Sequence, residues 1–418
     1  MKHLMEKVDA YLCAHQEELI AQGKALQMIP EWGFCEEKTS AFVQKKWDEL
    51  GLTGVMEFAG TGRMVTLKGK DHKANCAYLG ELDGIYSPEN ASADPQTGVS
   101  HACGHNIQIN ALLAVTEALV KTGVMEELNG DISLIAVPAE EVVPVSILEE
   151  KKAAGIIETN CGKFEMLRLG LFDDIDVLIG SHALENSEDD VDRVMVNSSC
   201  HGLKSMEYIF RGRTAHSTVC PEKGINALNA AVNTINAINA LREAFPPEEG
   251  TRVSYIITEG GHSVGNVPDL AVLEVIVATK SMEYLESLTE RIHSAAKGAA
   301  GVIGCELEIR MQDQYLPYVA DQRLADLICE NAAALTGKSA VMRPHDYFSN
   351  DLGDVSQKIP TAQVVYGGFY GDLHNANFRV ENEVEAYVLP ARVTARALLD
   401  LLSGDCEKAI AIRESFKK

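Results

Sequence analysis

Four runs of apolar residues mark the chain, at 76–83 (CAYLGELD), 132–141 (ISLIAVPAEE), 175–182 (IDVLIGSH) and 362–374 (AQVVYGGFYGDLH). Their apolar positions are continuous rather than alternating, which predicts strands covered on both faces. Helical periodicity appears between them at 106–122, 151–169 and 321–336. Strands alternating with helices predict an α/β fold, a three-layer domain around a mostly parallel sheet. From 198 to 311 the pattern becomes strand (205–211), helix (226–244), strand (252–259), strand (271–279), helix (282–300), strand (306–311). That order predicts a ferredoxin-like α+β unit. Because strand-end motifs of the first type occur on both sides of it, residues 198–312 read as an insertion into one discontinuous domain, 1–197 and 313–418. Linkers are expected near 197–199 and 312–317.

Composition narrows the partners. The 418 residues carry a net charge of -24, which argues against a nucleic-acid partner, since that binding rests on neutralising phosphates with Lys and Arg. Ten cysteines are scattered without the short repeated spacings of small secreted scaffolds, so they read as reduced thiols. Residues 1–22 alternate charged and apolar positions as a surface helix does and lack the apolar core of a signal peptide. No run of about 18 apolar residues occurs. A cytoplasmic protein without a membrane partner is expected.

The candidate chemistry gathers at the strand ends, where open α/β sheets bind ligands. In HACGH, Cys103 and His105 stand two positions apart, ahead of a helix whose first turn would favour a thiolate. The pair suits a divalent metal, or a nucleophilic cysteine with His105 or His101 as base. Glu140 and Glu141 follow Pro138 at the end of a strand, so one carboxylate can bind a metal while its neighbour acts as a base. His182 ends another strand and His374 lies in a glycine-rich loop. Cys103, His105, Glu141, His182 and His374 exceed what one tetrahedral zinc with an open position accepts. They suit two ions about 3.5–4 Å apart that share a bridging group, for which Cys103 is the natural bridge.

These residues, with the stretches IPEWGFCEEKTSAFV (29–43), GELDGI (80–85), RGRTAHS (211–217), ITEGGHSVGNVPD (257–269) and SNDLGDVS (349–356), resemble the dinuclear metallo-amidohydrolases of peptidase family M20 over nearly the whole chain. The Asn after CGH, GLFDD and INALREAF resemble most the aminobenzoyl-glutamate hydrolase branch. The resemblance implies that Cys103 bridges two divalent ions, zinc or manganese, with His105 and His182 on one and Glu141 and His374 on the other. It implies that Glu140 is the general base and that His216 reaches the active site of a neighbouring protomer. Residues 198–312 would then be a dimerisation domain and the chain a homodimer. The implied activity is hydrolysis of an amide in an N-acyl or aryl amino acid or a dipeptide-like small molecule.

The chain departs from the family pattern in places that concern specificity more than ligation. Gln27 stands where many members carry a basic residue, Gln108 replaces a second histidine, and Asp83 opens DGIY rather than Asp-Ala-Leu-Pro. Asp83 is a candidate to orient a ligand imidazole, with a structural role as the alternative. Asn266 matches a family asparagine near the substrate, or forms a turn. His262 reads as a loop histidine. Residues 142–160 are longer than expected and read as a surface helix rather than a lid. Arg211, Arg213 and Arg252 are candidates to bind a substrate carboxylate. Two other readings stand beside this one, a thiol amidase using Cys103 and a non-catalytic protein retaining the fold.

Overall fold

The computed structural model describes residues 1–185 and 194–416. The chain divides into two compact units, one of Met1–Ser198, Val319–His345 and Val355–Lys418, the other of Ser199–Tyr318 and Asp346–Asp354.

In the first unit an eight-stranded sheet runs in the order Met56–Phe58, Gly62–Leu67, Asp131–Val137, Asn75–Glu81, Val177–Ala183, Thr361–Tyr366, Val194–Asn197 and Val341–Arg343. The four strands Asp131–Val137, Asn75–Glu81, Val177–Ala183 and Thr361–Tyr366 are neighbours and mutually parallel, so their carboxyl ends share one edge. Cys76, Tyr78, Ile132, Leu134, Val177 and Ile179 join a helix-covered apolar core that includes Leu112, Leu119 and Leu398. The opposite parity, Ala77, Leu79, Ile135 and Leu178, is equally buried. Burial of both parities makes this the central layer of three and explains the unbroken apolar runs in the sequence.

The second unit is a four-stranded antiparallel sheet in the order Arg252–Glu259, Leu270–Thr279, Gly202–Arg211, Glu306–Tyr315. Its helices Ala227–Leu241 and Met282–Ile303 cover Met206, Tyr208, Phe210, Leu273 and Val275 to form a core of its own. The spatial order is fourth, first, third and second counted from the far edge, the ferredoxin-like arrangement that the element pattern predicts.

Some elements differ from expectation. The helix expected at 151–169 is two helices, Val145–Ala153 and Gly162–Arg168. Gly155 at φ 69° ends the first, and Cys161 is fully extended ahead of the second. The N-terminal surface helix is likewise two, Lys2–Ala14 and Gln16–Gln27, and both bury leucines in the main core. The run 362–374 belongs to the main sheet only to Tyr366, after which a short strand, Phe369–Tyr370, pairs with Arg379–Val380 and a loop carries the chain to His374.

Candidate metal centre

The shared strand edge collects the donors, and local hydrogen bonds aim them. Gly104 adopts φ 82° to start the helix His105–Thr122, and a Cβ there would lie 2.8 Å from that of Ala183. Glycine therefore lets the HACGH turn press against the strand that carries His182. His105 Nδ1 faces the Asp83 carbonyl at 3.0 Å and its carboxylate at 3.1 Å. Donation there leaves the Nε2 lone pair pointing inward. His182 is oriented in the same way, with Nδ1 2.9 Å from the Ala183 carbonyl and Nε2 3.3 Å from Cys103 Sγ. His374, at φ 63°, is pinned by its own N–H to Ala102 O at 2.9 Å. Its Nε2 stands 3.3 Å from Cys103 Sγ and 3.3 Å from Glu141 Oε1.

Two triads result, Cys103–His105–His182 and Cys103–Glu141–His374, each with donor atoms within 4.8 Å of one another and with Cys103 in both. His105 Nε2 and Glu141 Oε1 are buried without a hydrogen-bond partner. Buried polar atoms are ordinarily satisfied, so two orphans facing a thiol and two imidazoles are what a cation would complete. A thiolate, imidazoles and a carboxylate form a donor set suited to zinc or manganese. The residues present fit a pair of divalent ions.

Electrostatics point the same way. Burial disfavours a charged His105, yet the carboxylate of Glu81 and the thiol of Cys103 outweigh it and push the imidazole well above its ordinary value. The site asks for positive charge at that point. Burial, reinforced by Glu141, pushes the Cys103 thiol well above its usual range. Burial among carboxylates thus opposes the thiolate that the helix start was expected to favour. Surroundings that favour the thiol are the reverse of those that arm a nucleophilic cysteine. His101, pulled down to about 3 by burial and by His105, stays neutral.

Asp83 ties the site together, since one oxygen faces His105 and the other accepts the N–H of Glu141 at 2.9 Å. Glu140 Oε2 lies 3.7 Å from His105 Nε2, at a side chain 14% exposed. The turn before it is strained, with Ala139 at φ 52°. Glu36, which lies in the 29–43 stretch but was given no role there, holds this turn by accepting the Ala139 N–H at 2.8 Å and the Thr61 hydroxyl at 2.6 Å. Burial and the charge of Asp83 push its carboxyl up to about 8.

Glu81 and Lys163 are likewise unanticipated. The Lys163 ammonium, fully buried, lies 2.6 Å from Glu81 Oε1. Gln108 donates to Glu81 Oε2 at 2.8 Å. Burial opposes the charge on Glu81, but Lys163 and His105 outweigh it and hold the carboxyl below its ordinary value. Glu81 ends the strand Asn75–Glu81 inside the GELDGI stretch, two positions before Asp83, which was the available signal for it. Nothing local signalled Lys163.

In the other unit, His216 and Asn266 are exposed neighbours across an isolated antiparallel bridge. Thr218 offers its N–H and hydroxyl to His216 Nδ1 at 3.4 and 3.3 Å. His262 is exposed and lines a shallow hollow with Asn266. Arg211 faces Glu308 at 3.8 Å, Arg213 donates to Lys223 O at 2.7 Å, and Arg252 stacks on Tyr347 with 4.6 Å to the ring centre.

The family description of peptidase family M20/M25/M40 matches residues 77–400. The chain belongs to peptidase family M20/M25/M40. An N-acetylcysteine deacetylase of Bacillus subtilis is 22% identical over 379 residues, covering 88% of this chain and 93% of that one. A Bacillus subtilis structure described as a dinuclear metal binding peptidase from the M20 family matches with a TM-score of 0.73 at 21% identity, over 93% of this chain and 99% of that one. An aminobenzoyl-glutamate utilization protein from Klebsiella pneumoniae matches at 0.68 and 18% identity, over 95% of this chain and 99% of that one. At these identities the structures share the fold, which is that of the M20 family in both units.

Proposed function

We propose that this M20 enzyme is a dinuclear-metal amidohydrolase that cleaves the amide of N-acyl or aryl amino acids, in the manner of an aminoacylase or an aminobenzoyl-glutamate hydrolase, or of dipeptide-like compounds. The observation that carries the reading is the pair of buried triads sharing Cys103. There His105 and His182 would hold one divalent ion and Glu141 and His374 the other, with Cys103 shared between them. Ions bound there would acidify a water and polarise the substrate carbonyl.

The protein's own groups do the rest. Glu140, beside the triads but outside them, takes the proton from the attacking water and delivers it to the leaving amine. Asp83 fixes the His105 tautomer and the backbone of Glu141 together, so that both donors move as one piece. His216 donates to the oxyanion as it develops, from the neighbouring protomer of a homodimer built through the unit Ser199–Tyr318. Asn266 beside it contacts substrate. The exposed helix Val145–Ala153 is a surface element in this reading.

No helix among the described residues is long and apolar enough to cross a membrane. With the ten cysteines present as thiols, one of them a ligand, the reading places the enzyme in the cytoplasm, where thiols stay reduced.

The test is a panel of N-acyl amino acids, dipeptides and aminobenzoyl-glutamate assayed with zinc or manganese, beside metal analysis of the purified protein. Turnover of at least one class with close to two ions per chain is expected. Full activity without a stoichiometric divalent ion would sink the proposal.

A further inference from the structure

We infer that Glu81 is a direct oxygen ligand of the ion held by His105, a sixth protein ligand in addition to the five donors of the two triads. The inference rests on the dinuclear reading above and extends it.

The geometry is specific. Glu81 Oε2 lies 3.1 Å from His105 Nε2, yet His105 Nε2 makes no hydrogen bond. The contact is therefore close but wrongly angled for an N–H to Oε2 bond. Nδ1 of the same ring already faces Asp83 through two oxygens, so with its proton on Nδ1 the ring leaves Nε2 as a bare acceptor beside a carboxylate oxygen. Two acceptors at that distance repel unless a cation lies between them. Ligand atoms about 2.0–2.2 Å from a common ion stand about 3–3.5 Å from each other at angles between a right angle and the tetrahedral one, and the observed 3.1 Å falls in that range. Glu81, His105 and Glu140 indeed form a further group with donor atoms within 4.8 Å of one another. His105 has one free nitrogen, so this group describes the surroundings of the ion already assigned rather than a third one.

Lys163 and Gln108 explain why Glu81 is presented and not withdrawn. Lys163 engages Oε1 at 2.6 Å, and the Gln108 side chain bonds both Oε2, at 2.8 Å, and the Glu81 backbone N–H, at 3.2 Å. The side chain is clamped from behind, leaving the second oxygen toward His105. Lys163 also offsets a negative charge that would otherwise add to those of Glu140, Glu141 and the thiolate. An added oxygen raises the coordination number of that ion and shifts its preference toward harder metals such as manganese.

The experiment compares wild-type protein with Glu81→Gln, which keeps the shape and removes the charge. Each is stripped and titrated with zinc, manganese and cobalt, with affinity read by competition with a chromogenic chelator and coordination by the visible absorption of cobalt. Glu81→Gln should keep one ion and bind the other about 10-fold or more weakly, with the larger loss for manganese and an altered cobalt spectrum. Unchanged affinities and an unchanged spectrum would overturn the inference, as would weaker binding with an unaltered spectrum, the mark of a role confined to packing. If the variant does not fold, anomalous diffraction from manganese-loaded wild-type crystals decides. An oxygen of Glu81 within about 2.5 Å of an ion supports ligation, and one clearly beyond that distance excludes it. Wild-type protein that takes up no ion would instead refute the dinuclear reading, so the two failures are separable.

Discussion

His105 and His216 carry the same imidazole into opposite surroundings. The His105 side chain is 0% exposed, bounded by Asp83 on one nitrogen and by Glu81 on the other side. His216 is exposed and held only by contacts within its own loop and by a bridge to Asn266. A buried imidazole has its tautomer and direction fixed before any ligand arrives. An exposed one keeps its orientation open until a ligand or a second protomer fixes it. The candidate metal donors lie within one unit of one chain, whereas the proposed oxyanion donor, His216, lies in the other unit.

The contrast predicts different failures. Stripping divalent ions with a chelator should abolish activity and lower the melting temperature, because a ligand that binds only the folded state stabilises it; both should return on adding zinc or manganese. Glu140→Gln should lower kcat by about 100-fold or more with ion content unchanged in metal analysis. Loss of bound ions in that variant would move Glu140 into the ligand set. His216→Ala should also cost about 100-fold in kcat, again with both ions bound. Mixing it with Glu140→Gln should restore part of the activity if the histidine acts across protomers, and no restoration would break the contrast.

Smaller effects test the support of each region. Glu36→Ala leaves the Ala139 N–H buried without its acceptor, and should cost about 1–3 kcal/mol of stability in a denaturant titration, along with a shifted pH profile as the Glu140 turn loosens. Asp131, remote from the centre, should act on acid stability alone. Burial opposes its charge, but His72, the Gly69 N–H and Lys68 hold its carboxyl below the ordinary value. A folded pKa below the unfolded one stabilises above about pH 4 and is lost as pH falls through the folded value. Asp131→Asn should therefore lower the melting temperature at neutral pH and converge with wild type in acid, while activity at neutral pH stays unchanged.

The central strands were legible because each rests on a local signal, and the structure brings the five candidate donors together in two groups. A strand buried on both faces reads as an unbroken apolar run, and Glu141 and His182 stand at or just past the ends of two such strands. The strand and helix order of the ferredoxin-like unit was legible for the same reason, whereas Asp346–Asp354, expected in the other domain, groups with that unit in the structure. What local pattern hid was long-range pairing. Lys163 is 82 positions from Glu81, and a lysine on a short helix looks like a surface residue until its partner is known. Short strands such as Met56–Phe58 and Val341–Arg343 are too brief to show a period. The single helix expected at 151–169 fails at Gly155 and Cys161, because apolar spacing continued across a break set by backbone conformation rather than by polarity.

The helix Val145–Ala153 buries no residue, and Val142 and Val145 at its approach are 83% and 68% exposed. Substitutions at such positions ordinarily change stability by no more than about 0.5 kcal/mol. Selection can therefore rewrite this stretch, in charge, length or bulk, while the buried core stays under strict constraint. A randomised library confined to 145–153 would remain almost entirely folded, because none of its side chains holds the scaffold together.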